Sequence, residues 1–150
     1  MAYSNELYQQ VILEHNRKPR NFREMEDSTH NCHGYNPLCG DDFKVYLKVD
    51  SSNVIQDLSF IGTGCAISKA SSSLMTSYLK GKTVDEARVV FDEFHKMLLG
   101  EFEPENNAHH LGKLTLFLGV REYPSRIKCA SLSWHTMIGA LDKNKVMSTE

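Results

Sequence analysis

No stretch of this chain is apolar for long enough to cross a bilayer as a helix, which takes about 20 consecutive residues, so no membrane association is expected. Neither sign of charge dominates. Lys and Arg number 17 against 19 Asp and Glu, a formal charge of −2, and that balance excludes a strongly basic nucleic-acid surface. A local basic cluster, Arg17-Lys18-Pro19-Arg20, follows a predicted helix, whose C-terminal dipole favours cations there. Internal repeats and low-complexity tracts are missing, and Gly62 and Gly64 lack the lysine and hydroxyl pattern of a P-loop. Cysteine is scarce, at four residues in 150. Met1-Ala2-Tyr3-Ser4-Asn5 opens into an amphipathic pattern without a charged and then apolar leader, so reduced thiols and a cytoplasmic location are expected rather than a disulfide framework. A chain of this length buries roughly two thirds of its unfolded surface, which suits one domain over residues 1–150.

What is present is a set of periodic segments. Ser4 is the expected cap of a helix to about Glu14, with Leu7, Tyr8, Val11 and Ile12 at helical spacing and Pro19 closing the segment. Residues 21–36 are polar and read as mostly irregular with one short strand. Phe43, Val45, Leu47 and Val49 alternate with polar neighbours, and 54–61 forms an antiparallel partner across Asp50-Ser51-Ser52-Asn53. With the tip between Ser51 and Ser52, Cys39 falls opposite Gly64, next to Cys65, and shares a side with Asp41. A helix over 67–80 stops at Gly81, and Thr83 with Glu86 makes a capping box that opens a helix ending at Gly100. Residues 101–107 form an acidic connector, 111–118 a short buried helix, and Pro124 starts a last helix carrying Cys129 and Trp134. The sum is an α+β fold, a short antiparallel sheet packed against several helices.

Three cysteines and one carboxylate stand out from this scaffold. Asn36-Pro37-Leu38-Cys39-Gly40-Asp41, Gly62-Thr63-Gly64-Cys65-Ala66 and Lys128-Cys129 each sit in a turn or near the end of an element. Thiolates with one further donor suit tetrahedral zinc, and the same thiols could instead hold iron and sulfide. A hard carboxylate beside soft thiolates suggests a ligand that can be exchanged. Cys65 precedes a helix whose N-terminal dipole favours the thiolate, the form that attacks a persulfide sulfur. Arg126, one turn before Cys129, is a candidate for electrostatic support of a thiolate. Cys32-His33 and His109-His110 are weaker ligand candidates, His135 reads as a packed core histidine and Trp134 as a core anchor.

At these residues the chain closely resembles the U-type iron–sulfur assembly proteins, the family of NifU N-terminal domains, IscU and SufU. The resemblance runs through Asn-Pro-Leu-Cys-Gly-Asp, Gly-Thr-Gly-Cys-Ala-Ile-Ser, Gly-Lys-Thr-Val-Asp-Glu-Ala and Arg-Ile-Lys-Cys-Ala. It implies an α+β fold with a three-stranded antiparallel sheet, the third strand lying within 21–36. Lys128 stands where IscU-type scaffolds have His, and residues 123–128 replace their Leu-Pro-Pro-Val-Lys chaperone segment. Together with the longer stretch between Cys65 and Cys129, these departures resemble the SufU branch. That branch implies iron–sulfur cluster biogenesis, as a zinc-dependent sulfur acceptor for a SufS-like cysteine desulfurase that supplies downstream cluster-assembly proteins. Cys39, Asp41, Cys65 and Cys129 would hold zinc, with Cys39 released to take the sulfur and Asp41 tuning lability. The other function the resemblance implies is a scaffold that builds a transient cluster on Cys39, Cys65 and Cys129.

Overall fold

The computed structural model describes residues 5–143 and 146–148. Its elements run α1 (Asn5–Arg17), β1 (His30–Asn36), β2 (Asp41–Val49), β3 (Ile55–Thr63), α2 (Ala66–Leu79), α3 (Val84–Leu98), two 3₁₀ segments (Pro104–Asn106 and Gly112–Glu122), α4 (Pro124–Leu141) and β4 (Val146–Ser148). Ser4, the expected cap of α1, lies outside the described residues. Among the described residues no helix is long and apolar enough to cross a membrane.

The class is α+β, and the sheet corrects the expectation of three antiparallel strands. It is four-stranded and mixed, in the order β3-β2-β1-β4, with β4 parallel to β1 through His33↔Val146 and Tyr35↔Ser148. Three residues are too few to show any periodicity, so nothing in the sequence announces β4. Strand β1 is the short strand expected within 21–36, although its composition does not mark its bounds. Its sequence, His-Asn-Cys-His-Gly-Tyr-Asn, is strand because it packs against α4 and pairs with all of β2's N-terminal half. Gly34 makes that approach possible: a Cβ built there would fall 1.8 Å from Thr136 Oγ1.

Between β2 and β3 the register is Val45↔Phe60 and Leu47↔Leu58, two residues beyond the expected pairing. Asp50 N–H bonds to Val54 O at 3.0 Å around a three-residue turn, and an irregularity at Lys48/Val49 absorbs one residue more. A slip of two keeps every side chain on its expected face, whereas a slip of one would have turned the apolar row outward. Phe43, Val45, Leu47, Leu58 and Phe60 are therefore fully buried under α2 and α4.

The helical layer follows its patterning. The Thr83–Glu86 capping box is formed in both directions and α3 buries Ala87, Val90, Phe94, Met97 and Leu98. Trp134 is fully buried, stacks on Phe94 at a centroid distance of 4.5 Å and donates Nε1–H to Ser71 Oγ. The expected helix over 111–118 is a 3₁₀ run over 112–122 with Leu114, Leu116, Phe117 and Val120 buried.

Candidate metal centre

Three element ends meet at one edge of the inner sheet face. The β1–β2 connection is a four-residue loop, Pro37–Gly40, closed by Asn36 O accepting from Cys39 N (3.2 Å) and Gly40 N (2.9 Å). Cys39 sits in this loop and not on a strand, so it is never paired opposite Gly64 as the expected register had it. Asp41 opens β2, pairs with Asn36 and is 1% exposed. On the same side as Phe43, it faces inward.

The β3–α2 junction supplies the second thiol. Cys65 caps α2, its Sγ accepting from Ser68 N at 3.5 Å, and its own backbone N–H donates to Asp41 Oδ1 at 3.0 Å. Gly64 makes room for that contact, since a Cβ there would lie 2.8 Å from Asp41 Oδ1 and 2.6 Å from Ser68 Oγ. Cys129, in the first turns of α4, is fully buried, with its Sγ 3.6 Å from Cys39 Sγ across 90 residues of sequence.

One ligand atom each of Cys39, Asp41 and Cys129 lies within 4.8 Å of the other two. Cys65 stands outside that tight trio and joins it through Asp41, which accepts its backbone N–H. Asp41 Oδ2 is buried with no hydrogen-bond partner, an arrangement that costs about 1–3 kcal/mol unless something else meets the oxygen. Three sulfurs and an unmatched carboxylate oxygen converging from separate elements fit a thiophilic divalent ion, which takes sulfur and oxygen donors together.

The sulfurs do not share charge equally. Hydrogen bonding from Cys129, with further help from Ser68, holds the Cys65 thiol down to about 5 against the opposing effect of burial. Cys129 is driven the other way by the same contact, by burial and by the charge on Cys65. Of the two coupled thiols, Cys65 is the one favoured as thiolate, at the N-terminus of α2 where a helix dipole stabilises it. Arg126 lies exposed on the first turn of α4, and the Cys129 and Cys65 sulfurs raise its proton affinity further.

The remaining candidates lie elsewhere. Cys32 is buried, with Sγ 3.2 Å from the position a Gly139 Cβ would take, and burial pushes its thiol up. His33 turns to the other face and pairs with Asp42 at 2.5 Å. His110 bonds to Glu93 at 2.9 Å, and His135 packs edge-on to Phe91 and His95. Two polar residues of the centre were not singled out from the sequence, Asn36 and Ser68. Asn36 stood in the quoted Asn-Pro-Leu-Cys-Gly-Asp motif, but a buried carboxamide there is legible only once the loop is seen closed around it.

Comparison with known proteins gives a consistent family. The model of the NifU-like N terminal domain matches residues 7–130. The chain is 36% identical over 140 residues to a Streptococcus pyogenes protein named iron–sulfur cluster assembly scaffold protein IscU, covering 93% of this chain and 86% of that one. It is 38% identical over 131 residues to the Bacillus subtilis protein named zinc-dependent sulfurtransferase SufU, covering 87% and 86%. A crystal structure from Fervidobacterium islandicum, named for an iron–sulfur cluster assembly scaffold protein for the SUF system, superposes with a TM-score of 0.81 at 34% identity, over 92% of this chain and 98% of that one.

Proposed function

Because the chain belongs to the NifU-like N-terminal domain family, we propose that it serves iron–sulfur cluster assembly as a sulfur acceptor for a cysteine desulfurase, working in the cytoplasm as a single domain over residues 1–150. The observation that carries this reading is the unequal exposure of the convergent sulfurs. Cys39 is exposed on a hairpin loop, Cys65 is half-buried and Cys129 is fully buried. A partner's persulfide reaches the first and not the last.

The transfer is a thiol–disulfide displacement at a sulfane sulfur. The Cys39 thiolate attacks the outer sulfur of the donor persulfide, a new S–S bond forms on Cys39 Sγ, the donor S–S bond breaks, and the donor cysteine leaves as its thiolate, with no net oxidation or reduction. Cys39, Asp41, Cys65 and Cys129 would hold zinc, which when bound keeps its sulfur ligands deprotonated at neutral pH. The chain's own residues prepare the same end: Ser68 and the α2 dipole stabilise a thiolate on Cys65, and Arg126 offers a cation at the rim for an approaching anionic persulfide.

A second reading rests on the names of the Streptococcus and Fervidobacterium proteins, both called scaffolds. In it, iron and sulfide are cargo assembled on Cys39, Cys65 and Cys129 and then passed to downstream cluster-assembly proteins. Two experiments separate the readings. Incubation with a SufS-type desulfurase and cysteine, followed by mass spectrometry of each cysteine, is expected to find an added sulfur on Cys39 and faster desulfurase turnover with the zinc-loaded protein. Anaerobic reconstitution with iron and sulfide that gives a stable, transferable cluster without such stimulation would favour the scaffold instead.

A further inference from the structure

Asn36 commits nearly all its polar atoms to the loop that carries Cys39. The residue is fully buried at the end of β1. Its backbone oxygen takes the N–H groups of Cys39 and Gly40, and its side-chain Oδ1 takes the N–H of Leu38 at 3.1 Å. Leu38 N–H can only donate, so the carboxamide oxygen must face it. That contact fixes the orientation of the amide and turns Nδ2, which can only donate, toward Cys39 Sγ at 3.6 Å. The loop needs such a device. Leu38 is 77% exposed and Cys39 is exposed, so apolar packing does little to fix where this sulfur points.

We propose that Asn36 is a positioning residue for sulfur transfer, its carboxamide tethering the loop through Oδ1 and aiming the Cys39 sulfur through an Nδ2–H···Sγ hydrogen bond. The proposal rests on the reading of Cys39 as the accepting thiol. A displacement at sulfur needs the attacking atom in line with the bond that breaks, and a small misplacement of a reacting atom costs up to about a hundredfold in rate. The amide limits the excursions of a side chain that apolar packing does little to fix, adding to the Cys129 contact at 3.6 Å, while leaving its outer side open to a donor.

The test compares the zinc-loaded wild type with Asn36→Asp and Asn36→Ala, using a SufS-type desulfurase and cysteine as the sulfur source. Asn36→Asp keeps the acceptor for Leu38 N–H and removes the donor to sulfur. Asn36→Ala removes both without introducing a buried charge, and serves if the Asp variant does not fold. Both are expected to lower kcat for sulfur transfer by about tenfold to a hundredfold with little change in KM for the desulfurase. Alkylation of Cys39 by iodoacetamide, a small reagent that needs no fixed approach, should stay within about threefold of wild type. A tether with no role at sulfur predicts instead that the Asp variant transfers like wild type. Transfer at the wild-type rate in both variants, or a rise in KM alone, overturns the role of Asn36 while leaving Cys39 as acceptor. If the wild type itself gains no sulfur on Cys39, the reading of Cys39 falls first.

Discussion

Strand β2 belongs to two hairpins, and they are built on different terms. Toward β3 it is apolar against apolar: Val45 beside Phe60 and Leu47 beside Leu58, all without exposure. Toward β1 the inward row is Cys32, Gly34 and Asn36, which offers little area and relies on close fit and hydrogen bonds. The turns differ in the same way. Asp50 holds the β2–β3 turn through Ser52 and Val54 N–H groups, far from any thiol, whereas Asn36 holds the β1–β2 loop and reaches a sulfur. The hairpin that carries the exposed sulfur is the one without a large apolar anchor, and the site is steadied by the neighbour that has one.

Mutation should separate the two. Leu58→Ala empties a fully buried position between the sheet and the helices and is expected to cost about 2–5 kcal/mol in urea unfolding, with zinc affinity unchanged wherever the variant remains folded. Gly34→Val strikes the fitted hairpin: its Cβ would overlap Thr136 Oγ1, for about 1–3 kcal/mol, and here zinc affinity should fall along with stability. Adding Thr136→Ala to that variant should recover part of both, a non-additive pair measurable in a double-mutant cycle. Loss of zinc in Leu58→Ala but not in Gly34→Val would reverse the contrast.

A pH scan probes the helical layer behind both hairpins. Burial, reinforced by His95, lowers the His135 pKa to about 4, below its ordinary value of 6.5. Between those values the unfolded chain binds the proton that the folded chain refuses, so His135's share of stability is whole above pH 6.5 and is lost as pH falls toward 4. Thermal unfolding should show Tm dropping across that window, and His135→Gln should flatten the drop. The smallest effect on stability belongs to Cys39→Ser. The loop position is exposed, so unfolding of the metal-free protein should shift by no more than about 0.5 kcal/mol while sulfur acceptance disappears.

The same contrast explains what could be read in advance. Alternation in 43–49 and 54–61 announced the apolar hairpin, and its register error of two residues was harmless because faces repeat every second residue. The capping box and the buried stripe of α3 were legible for the same local reasons. Strand β1 was legible only as one short strand somewhere within 21–36, because its inward residues are chosen for fit to α4, a partner more than 80 residues away whose Thr136 gives Gly34 its meaning. Cys39, Asp41, Cys65 and Cys129 were visible as residue types in motifs, and Cys65 as the residue before a helix, but the loop placing Cys39 3.6 Å from Cys129 is a tertiary fact. Asn36 escaped notice because a polar residue before a proline reads as a turn former until it is found buried with its donors and acceptors matched.

The central claim is that three thiols from three separate element ends serve one ion. Cobalt(II) substitution measures it directly, since sulfur-to-cobalt charge-transfer absorption reports the number of thiolates bound. The account predicts that Cys39→Ser, Cys65→Ser and Cys129→Ser each weaken that absorption while Cys32→Ser leaves it at wild-type strength. Unchanged absorption in any of the first three, or an equal loss in Cys32→Ser, would contradict it.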